Sequence, residues 1–134
     1  MKSPRWVSRQ VVLALHRESI ATFGGGDGIR DEGLLDSALA RPENLFCYGT
    51  PTLHELAAAY GYGLAKNHPF IDGNKRTAFL TSAVFLMDNG LQPLVNETDV
   101  VTTVTALAAS RLSEAEFARW LKQSFKPIKK KPVK

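Results

Sequence analysis

One cysteine, Cys47, is all that this chain of 134 residues holds. That excludes an internal disulfide and any zinc site built on cysteines, and it fits a reducing compartment. Long apolar runs are missing too: none approaches the ~18 residues that a membrane-spanning helix needs. The opening residues MKSPRWVSRQ lack the apolar stretch of a signal peptide, so a cytoplasmic location without a membrane partner is expected. There is no internal repeat and no alternation of strand with helix, which excludes solenoids and doubly wound sheets. The glycines at 24, 25, 26 and 28 lack the spacing of a dinucleotide fingerprint, and no Gly-Lys-Ser/Thr follows them, so GGGDG reads as a flexible connector.

Base exceeds acid, giving a net charge of +4, but the excess sits in one place. Lys126, Lys129, Lys130, Lys131 and Lys134 fall in KPIKKKPVK, and without those five lysines the total becomes −1. A nearly neutral body argues against a nucleic-acid partner, and residues 126–134 read as a solvated, disordered tail on a single domain of residues 1–125. A domain of this size buries roughly two-thirds of the surface of its unfolded chain and needs no staple.

The patterning that is present is helical. Ser3 and Pro4 read as cap and first residue of a helix running to Thr22 or Phe23, with Val7, Val11, Ala14 and Leu15 as its apolar stripe. His16 falls within it and, lacking a local carboxylate partner, reads as a packed or surface residue. Asp31 caps a helix with Leu34, Leu35, Ala38 and Leu39 inward, stopped before Pro42. Residues 43–50, ENLFCYGT, have no helical period and read as an edge segment or surface loop. Thr52 and Glu55 form a capping box opening a helix that reaches Asn67. Its residue His54 reads as solvent-facing, with no further ligands for a metal. Residues 73–89 are apolar nearly all round, which places that helix at the centre of a bundle, the most buried element. Leu91 to Val95 is a short link, Asn96 and Asp99 open a further helix, and Ser113 with Glu116 opens the last. The fold class is all-α, a compact bundle of about six helices.

One stretch is dense in chemistry: His68-Pro-Phe-Ile-Asp-Gly-Asn-Lys-Arg-Thr77. Pro69 disfavours the α region for its predecessor, so His68 is expected to be extended at a loop entrance. Asp72 can cap the next helix, with Gly73 turning the backbone. The first turn of a helix offers unpaired N–H groups and a partial positive charge, an anion site to which Lys75 and Arg76 add full charges. Asp72 would repel a phosphate unless a divalent cation bridged them, which suggests Mg2+. The His68 imidazole is the natural base for a hydroxyl attacking that phosphate. An ordinary turn whose charges face water explains Pro69, Asp72 and Gly73, but gives no reason for His68, Asn74, Lys75 and Arg76 to accompany them.

At these residues the sequence resembles the Fic/Doc family, whose signature is His, any residue, Phe, any residue, Asp, Glu or Asn, Gly or Ala, Asn, Gly or Lys, then Arg. His68, Phe70, Asp72, Gly73, Asn74, Lys75 and Arg76 fill it without a gap. The adenylylating branch has Gly at the Lys75 position and a second Arg at the Phe79 position; this chain has neither and resembles the death-on-curing branch. ALHRESIATFGG and DEGLLDSALARP extend the resemblance over most of the chain. The resemblance implies His68 as catalytic base, Phe70 as the apolar anchor of the loop and Asp72 as magnesium ligand. Gly73 and Asn74 would hold phosphates through backbone and amide, with Lys75 and Arg76 as cationic partners. It further implies a kinase that uses ATP on a threonine of elongation factor Tu, stops translation and is neutralised by a Phd-like antitoxin. Lys75 in place of Gly fills space that an α-phosphate would use, so ATP is expected reversed, with its γ-phosphate nearest His68. Adenylyl transfer and an inactive protein-binding module are the alternatives. In some Fic proteins an inhibitory helix carries Ser or Thr, three residues, then Glu and Gly or Asn. Ser110 and Glu114 match that spacing but Ala115 breaks it, so inhibition is expected from a separate chain.

Overall fold

The computed structural model describes residues 3–128. Six helices and two short strands follow in the order α1 Arg9–Phe23, α2 Glu32–Tyr48, α3 Leu53–Asn67, α4 Asn74–Asp88, β1 Leu91–Pro93, α5 Glu97–Ala108, α6 Glu114–Ser124 and β2 Phe125–Pro127. The all-α expectation of six helices holds.

Helices α3 and α4 form the centre, and of the two α3 is the more buried. Its residues Leu56 to Gly61 and Gly63 to Ala65 are shielded from solvent, and it packs against α2, α4, α5 and α6. Small residues make this possible. A Cβ on Gly61 would lie 2.5 Å from Ser82 Oγ on α4 and 2.7 Å from the Phe117 ring on α6. One on Gly63 would lie 3.2 Å from Ala38 on α2. Tyr60, Phe85, Leu64, Phe117 and Leu121 fill the resulting core, each contributing ~1.5–3 kcal/mol by leaving water. Helix α4, expected to be the most buried, leaves Met87 exposed at its far end.

Several boundaries differ from expectation. Helix α1 begins at Arg9, capped by Ser8, whose hydroxyl accepts from the Val11 N–H. Ser3 and Pro4 do not start it, because residues 3–7 are not helical and are tied down by distant partners. The Val7 N–H donates to the Tyr60 hydroxyl at 3.0 Å, and the Arg5 N–H donates to Asn89 Oδ1 at 2.9 Å. The buried face of α1 is Val12, His16 and Ser19, while Val11 is exposed.

Helix α2 continues through Pro42 to Tyr48, so ENLFCY is helical rather than an edge segment. Proline removes one helical hydrogen bond, but burial of Leu35, Ala38 and Pro42 against α3 and an edge contact of Phe46 with Trp6 hold the helix across it. Residues Leu91–Pro93 are not a bare link: they pair antiparallel with Phe125–Pro127, Leu91 opposite Pro127. Lys126 and Pro127, expected in a disordered tail, therefore belong to the fold, and residues 129–134 lie outside the described part.

Candidate active site

The loop 68–73 joins the two central helices, so its ends are fixed by the best-packed part of the molecule. Helix α3 closes at His68, whose N–H donates to the Leu64 carbonyl at 3.2 Å. His68 is left-handed, φ 54° and ψ 52°, rather than extended. Proline at 69 disfavours the right-handed helical region for His68, and the left-handed well is the alternative that still closes the helix end. The His68 side chain is exposed and has no hydrogen-bond partner among the described residues.

The loop is laid against residues 28–31 as a short antiparallel contact. Arg30 and Asp31 N–H groups both donate to the Pro69 carbonyl, at 2.7 and 3.1 Å, and the Ile71 N–H donates to the Gly28 carbonyl at 3.1 Å. Phe70, paired with Ile29, is fully buried and stacks on the His16 ring at 3.9 Å between centroids and 9° between planes. Phe70 thus anchors the loop.

Asp72 does not cap α4. The cap is Gly73, left-handed at φ 78°, and no side chain bonds the first turn. Asp72 is held from outside instead: its carbonyl accepts from His16 Nε2–H at 2.8 Å, and its Oδ2 accepts from the Gly26 N–H at 2.7 Å. The glycine cluster is therefore a fitted cradle and not a connector. A Cβ on Gly26 would lie 2.9 Å from Ile71 Cγ2 and 3.2 Å from Asp72 Oδ2, and one on Gly25 3.1 Å from Asp72 Cβ.

Asn74 is buried and its amide faces inward, accepting from the Phe70 N–H and donating to the Phe70 carbonyl, both at 2.9 Å. Its side chain closes the loop and is not free to hold a phosphate; only its backbone N–H remains at the helix mouth. Lys75 is exposed, and the Arg76 guanidinium lies 3.5 Å over the ring of Phe23 at the end of α1. Neither is in an ion pair among the described residues. Because the first bond of the helix runs from the Thr77 N–H to the Gly73 carbonyl, the N–H groups of Asn74, Lys75 and Arg76 have no helical acceptor. They leave an anion mouth at a helix start that also carries Lys75 and Arg76.

A cavity of about 540 Å³ opens beside this mouth, walled by Phe23, Leu80, Val100 and Val104, with Lys75 and Arg76 at its rim. A second cavity, of about 520 Å³, lies at the opposite end of α3, lined by His54, Glu55, Glu114, Arg119 and Lys122. Its acids are committed: Glu55 accepts from the Thr52 N–H and Glu114 bonds Arg41. His54 is half-buried there rather than solvent-facing, donating from Nε2 to the Phe125 carbonyl at 3.1 Å. Among the described residues no cluster of three or more His, Cys, Asp or Glu could hold a metal. Ser110 and Glu114, the partial inhibitory match, bond Lys66 and Arg41 respectively.

Sequence reasoning thus located His68, Phe70, Asp72, Gly73, Lys75 and Arg76 in one loop and helix start. It missed the support: Gly26 on the Asp72 carboxylate, His16 on the Asp72 carbonyl, and Arg30, whose guanidinium bonds the carbonyls of Asn67 and His68. All three come from residues 16–30, within and just after the ALHRESIATFGG stretch.

Comparison with known proteins agrees with this geometry. A family model described as the Fic/DOC family matches residues 6–86. The chain is 46% identical over 86 residues to Toxin Doc of Mycolicibacterium smegmatis, an alignment covering 58% of this chain and 65% of that protein. It is 30% identical over 122 residues to Protein kinase doc of Escherichia phage P1, covering 90% of this chain and 96% of that protein. The chain thus spans just under two-thirds of the mycobacterial relative and nearly all of the phage one. No helix among the described residues is long and apolar enough to cross a membrane.

Proposed function

The chain belongs to the Fic/DOC family, and we propose that it is a Doc-type toxin acting as a protein kinase: it moves the γ-phosphoryl group of ATP to a Ser or Thr hydroxyl of a translation factor, with elongation factor Tu as the target. The observation that carries this reading is the start of α4, where no side chain caps the first turn and Lys75 and Arg76 flank its free N–H groups. Such a mouth binds and neutralises phosphate oxygens. The relative named Protein kinase doc, aligned over 90% of this chain, supports the same direction.

In the proposed reaction His68 takes the proton of the target hydroxyl as its oxygen bonds to the γ-phosphorus. The bond from that phosphorus to the β–γ bridging oxygen breaks, and ADP leaves. Lys75, Arg76 and the amides of residues 74–76 hold the charge that develops on the transferred oxygens. The Gly26 amide occupies one oxygen of Asp72 and leaves the other without a protein partner among the described residues. That fits a Mg2+ ion held by a single carboxylate together with phosphate oxygens, which would supply charge neutralisation at the leaving group. The apolar cavity beside Arg76, about 540 Å³, has the size and lining to take the nucleoside. A Phd-like antitoxin, as a separate chain, is the proposed partner that silences the enzyme in the cytoplasm.

The test is to incubate the protein with bacterial lysate and ATP labelled at either the α or the γ phosphorus. Label on a target protein from γ-labelled ATP alone is the expected result. Label from α-labelled ATP would replace the kinase by an adenylyltransferase, and label from neither would leave a binding module.

A further inference from the structure

The carbonyls at the end of a helix lack intrahelical donors and carry the negative end of its dipole. At the end of α3 three successive carbonyls are taken by one residue outside the signature. Arg30 Nε donates to the His68 carbonyl at 2.7 Å, Arg30 Nη2 donates to the Asn67 carbonyl at 2.9 Å, and the Arg30 backbone N–H donates to the Pro69 carbonyl at 2.7 Å. No acid pairs with the Arg30 guanidinium among the described residues, so the fork of this exposed side chain is spent on backbone. The residue it grips is His68, a non-glycine held left-handed at φ 54°. L-residues other than glycine visit that conformation at a cost, as single residues that surrounding contacts hold in place.

We propose that Arg30 is the positioning residue of the catalytic histidine: its fork fixes the backbone of residues 67–69 in the left-handed turn from which the His68 imidazole projects. The inference rests on His68 being the base of the proposed transfer. The imidazole itself has no hydrogen-bond partner among the described residues, so the direction of its Cα–Cβ bond is set by the turn. A base that must meet one hydroxyl gains from a fixed origin, since small misplacements of reacting groups cost rate steeply. Arginine suits the task because its planar fork meets two acceptors at once, whereas a lysine meets them as a point charge.

The experiment is a mutant cycle with a structural readout beside it. Arg30→Ala is expected to lower kcat roughly tenfold to a hundredfold, with KM for ATP within about twofold because ground-state binding is untouched. Arg30→Lys should restore part of the rate. In a His68→Ala background, Arg30→Ala should cause no further loss, because the group it positions is gone. Independently of activity, the His68 amide, bonded to the Leu64 carbonyl at 3.2 Å, should exchange with deuterium at least about tenfold faster in Arg30→Ala, as the turn loosens. Exchange unchanged in Arg30→Ala would overturn the proposal. So would a rate loss that persists in the His68→Ala background or appears only in KM. Should the wild-type protein transfer no phosphate at all, the functional reading would fail while amide exchange still decides what Arg30 does.

Discussion

Two helix starts at opposite ends of α3 are built in opposite ways. At the start of α3 the Thr52 hydroxyl accepts from the Glu55 N–H at 3.1 Å and the Glu55 carboxylate accepts from the Thr52 N–H at 2.8 Å, so two orphan donors are satisfied reciprocally. At the start of α4 the cap is Gly73, and the carboxylate next to it is turned away onto the Gly26 amide. Ser113 closes α6 with a second such box, and the side chains of Ser8, Asp31 and Asn96 each accept from one first-turn N–H of α1, α2 and α5. Where the chain could have stabilised a helix end it did so five times, and at the sixth it kept the donors free and set Lys75 and Arg76 beside them. The closed starts serve the fold, and in the proposed function the open one serves the phosphate.

That division can be broken by experiment, beginning with its largest expected effect. His68→Ala should reduce phosphoryl transfer by about 10²–10⁴-fold, the range for losing a general base. ATP affinity measured by calorimetry should stay at the wild-type value, since the base acts in the transition state. Transfer undiminished in that variant would remove His68 from the chemistry and leave the open mouth without a reaction.

Asn74→Ala tests how the mouth is kept open. Its amide satisfies both the N–H and the carbonyl of buried Phe70. Leaving two buried groups unpaired should cost about 2–4 kcal/mol in urea unfolding, with activity falling in step with the folded fraction. A stable variant that had lost nucleotide affinity would instead mean that the Asn74 amide reaches the phosphate after all.

Arg76→Ala should show the reverse pattern. Its guanidinium lies over the exposed ring of Phe23 and pairs with no acid among the described residues, so unfolding should change by less than about 0.5 kcal/mol. ATP affinity should fall by about 10–100-fold through loss of charge-assisted contacts worth ~1.5–3 kcal/mol. Equal losses of stability and affinity would erase the distinction between the two kinds of helix start.

What could be seen in the sequence was local. The caps at Asp31, Thr52, Asn96 and Ser113 are short-range patterns, and each was found where it was expected; the signature at His68 to Arg76 is equally local, but its backbone shape and the inward turn of the Asn74 amide were not read from it. The misses have distant partners. Residues 3–7 are tied to Tyr60 and Asn89, 53 and 84 residues from their partners Val7 and Arg5, so the Ser3-Pro4 signal, sound as local chemistry, was overruled. Pro42 did not stop α2 because Gly63 lets Ala38 and Arg41 approach α3 closely. His16 offered no local clue to its role, since its partner Asp72 is 56 residues on. The groups assigned to the proposed chemistry lie in nine consecutive residues and are legible. Their supports are gathered by folding and are not.

The smallest effect sharpens the closed side of the comparison. Ser113 opens α6 as Thr52 opens α3: its hydroxyl accepts from the Glu116 N–H at 3.0 Å and its own N–H donates to Glu116 Oε1 at 2.9 Å. Those bonds hold the Glu116 carboxyl below the usual range, the bonds from Ser113 being the main cause. A depressed folded pKa means that the charged form is favoured by folding. Its stabilisation is therefore complete above the ordinary carboxylate range and fades as pH falls through the lowered value. Ser113→Ala should cost about 1 kcal/mol at neutral pH, with ATP affinity unchanged because the start of α6 lines the cavity at the other end of α3. Urea unfolding of both proteins at pH 7 and pH 3 should show the gap narrowing somewhat on acidification: the backbone N–H of residue 113 still meets Glu116 in both, whereas the part of the depression that comes from the Ser113 hydroxyl exists only in the wild type and is lost once Glu116 is protonated. A gap that widened in acid would mean that Ser113 acts elsewhere than through this reciprocal pair.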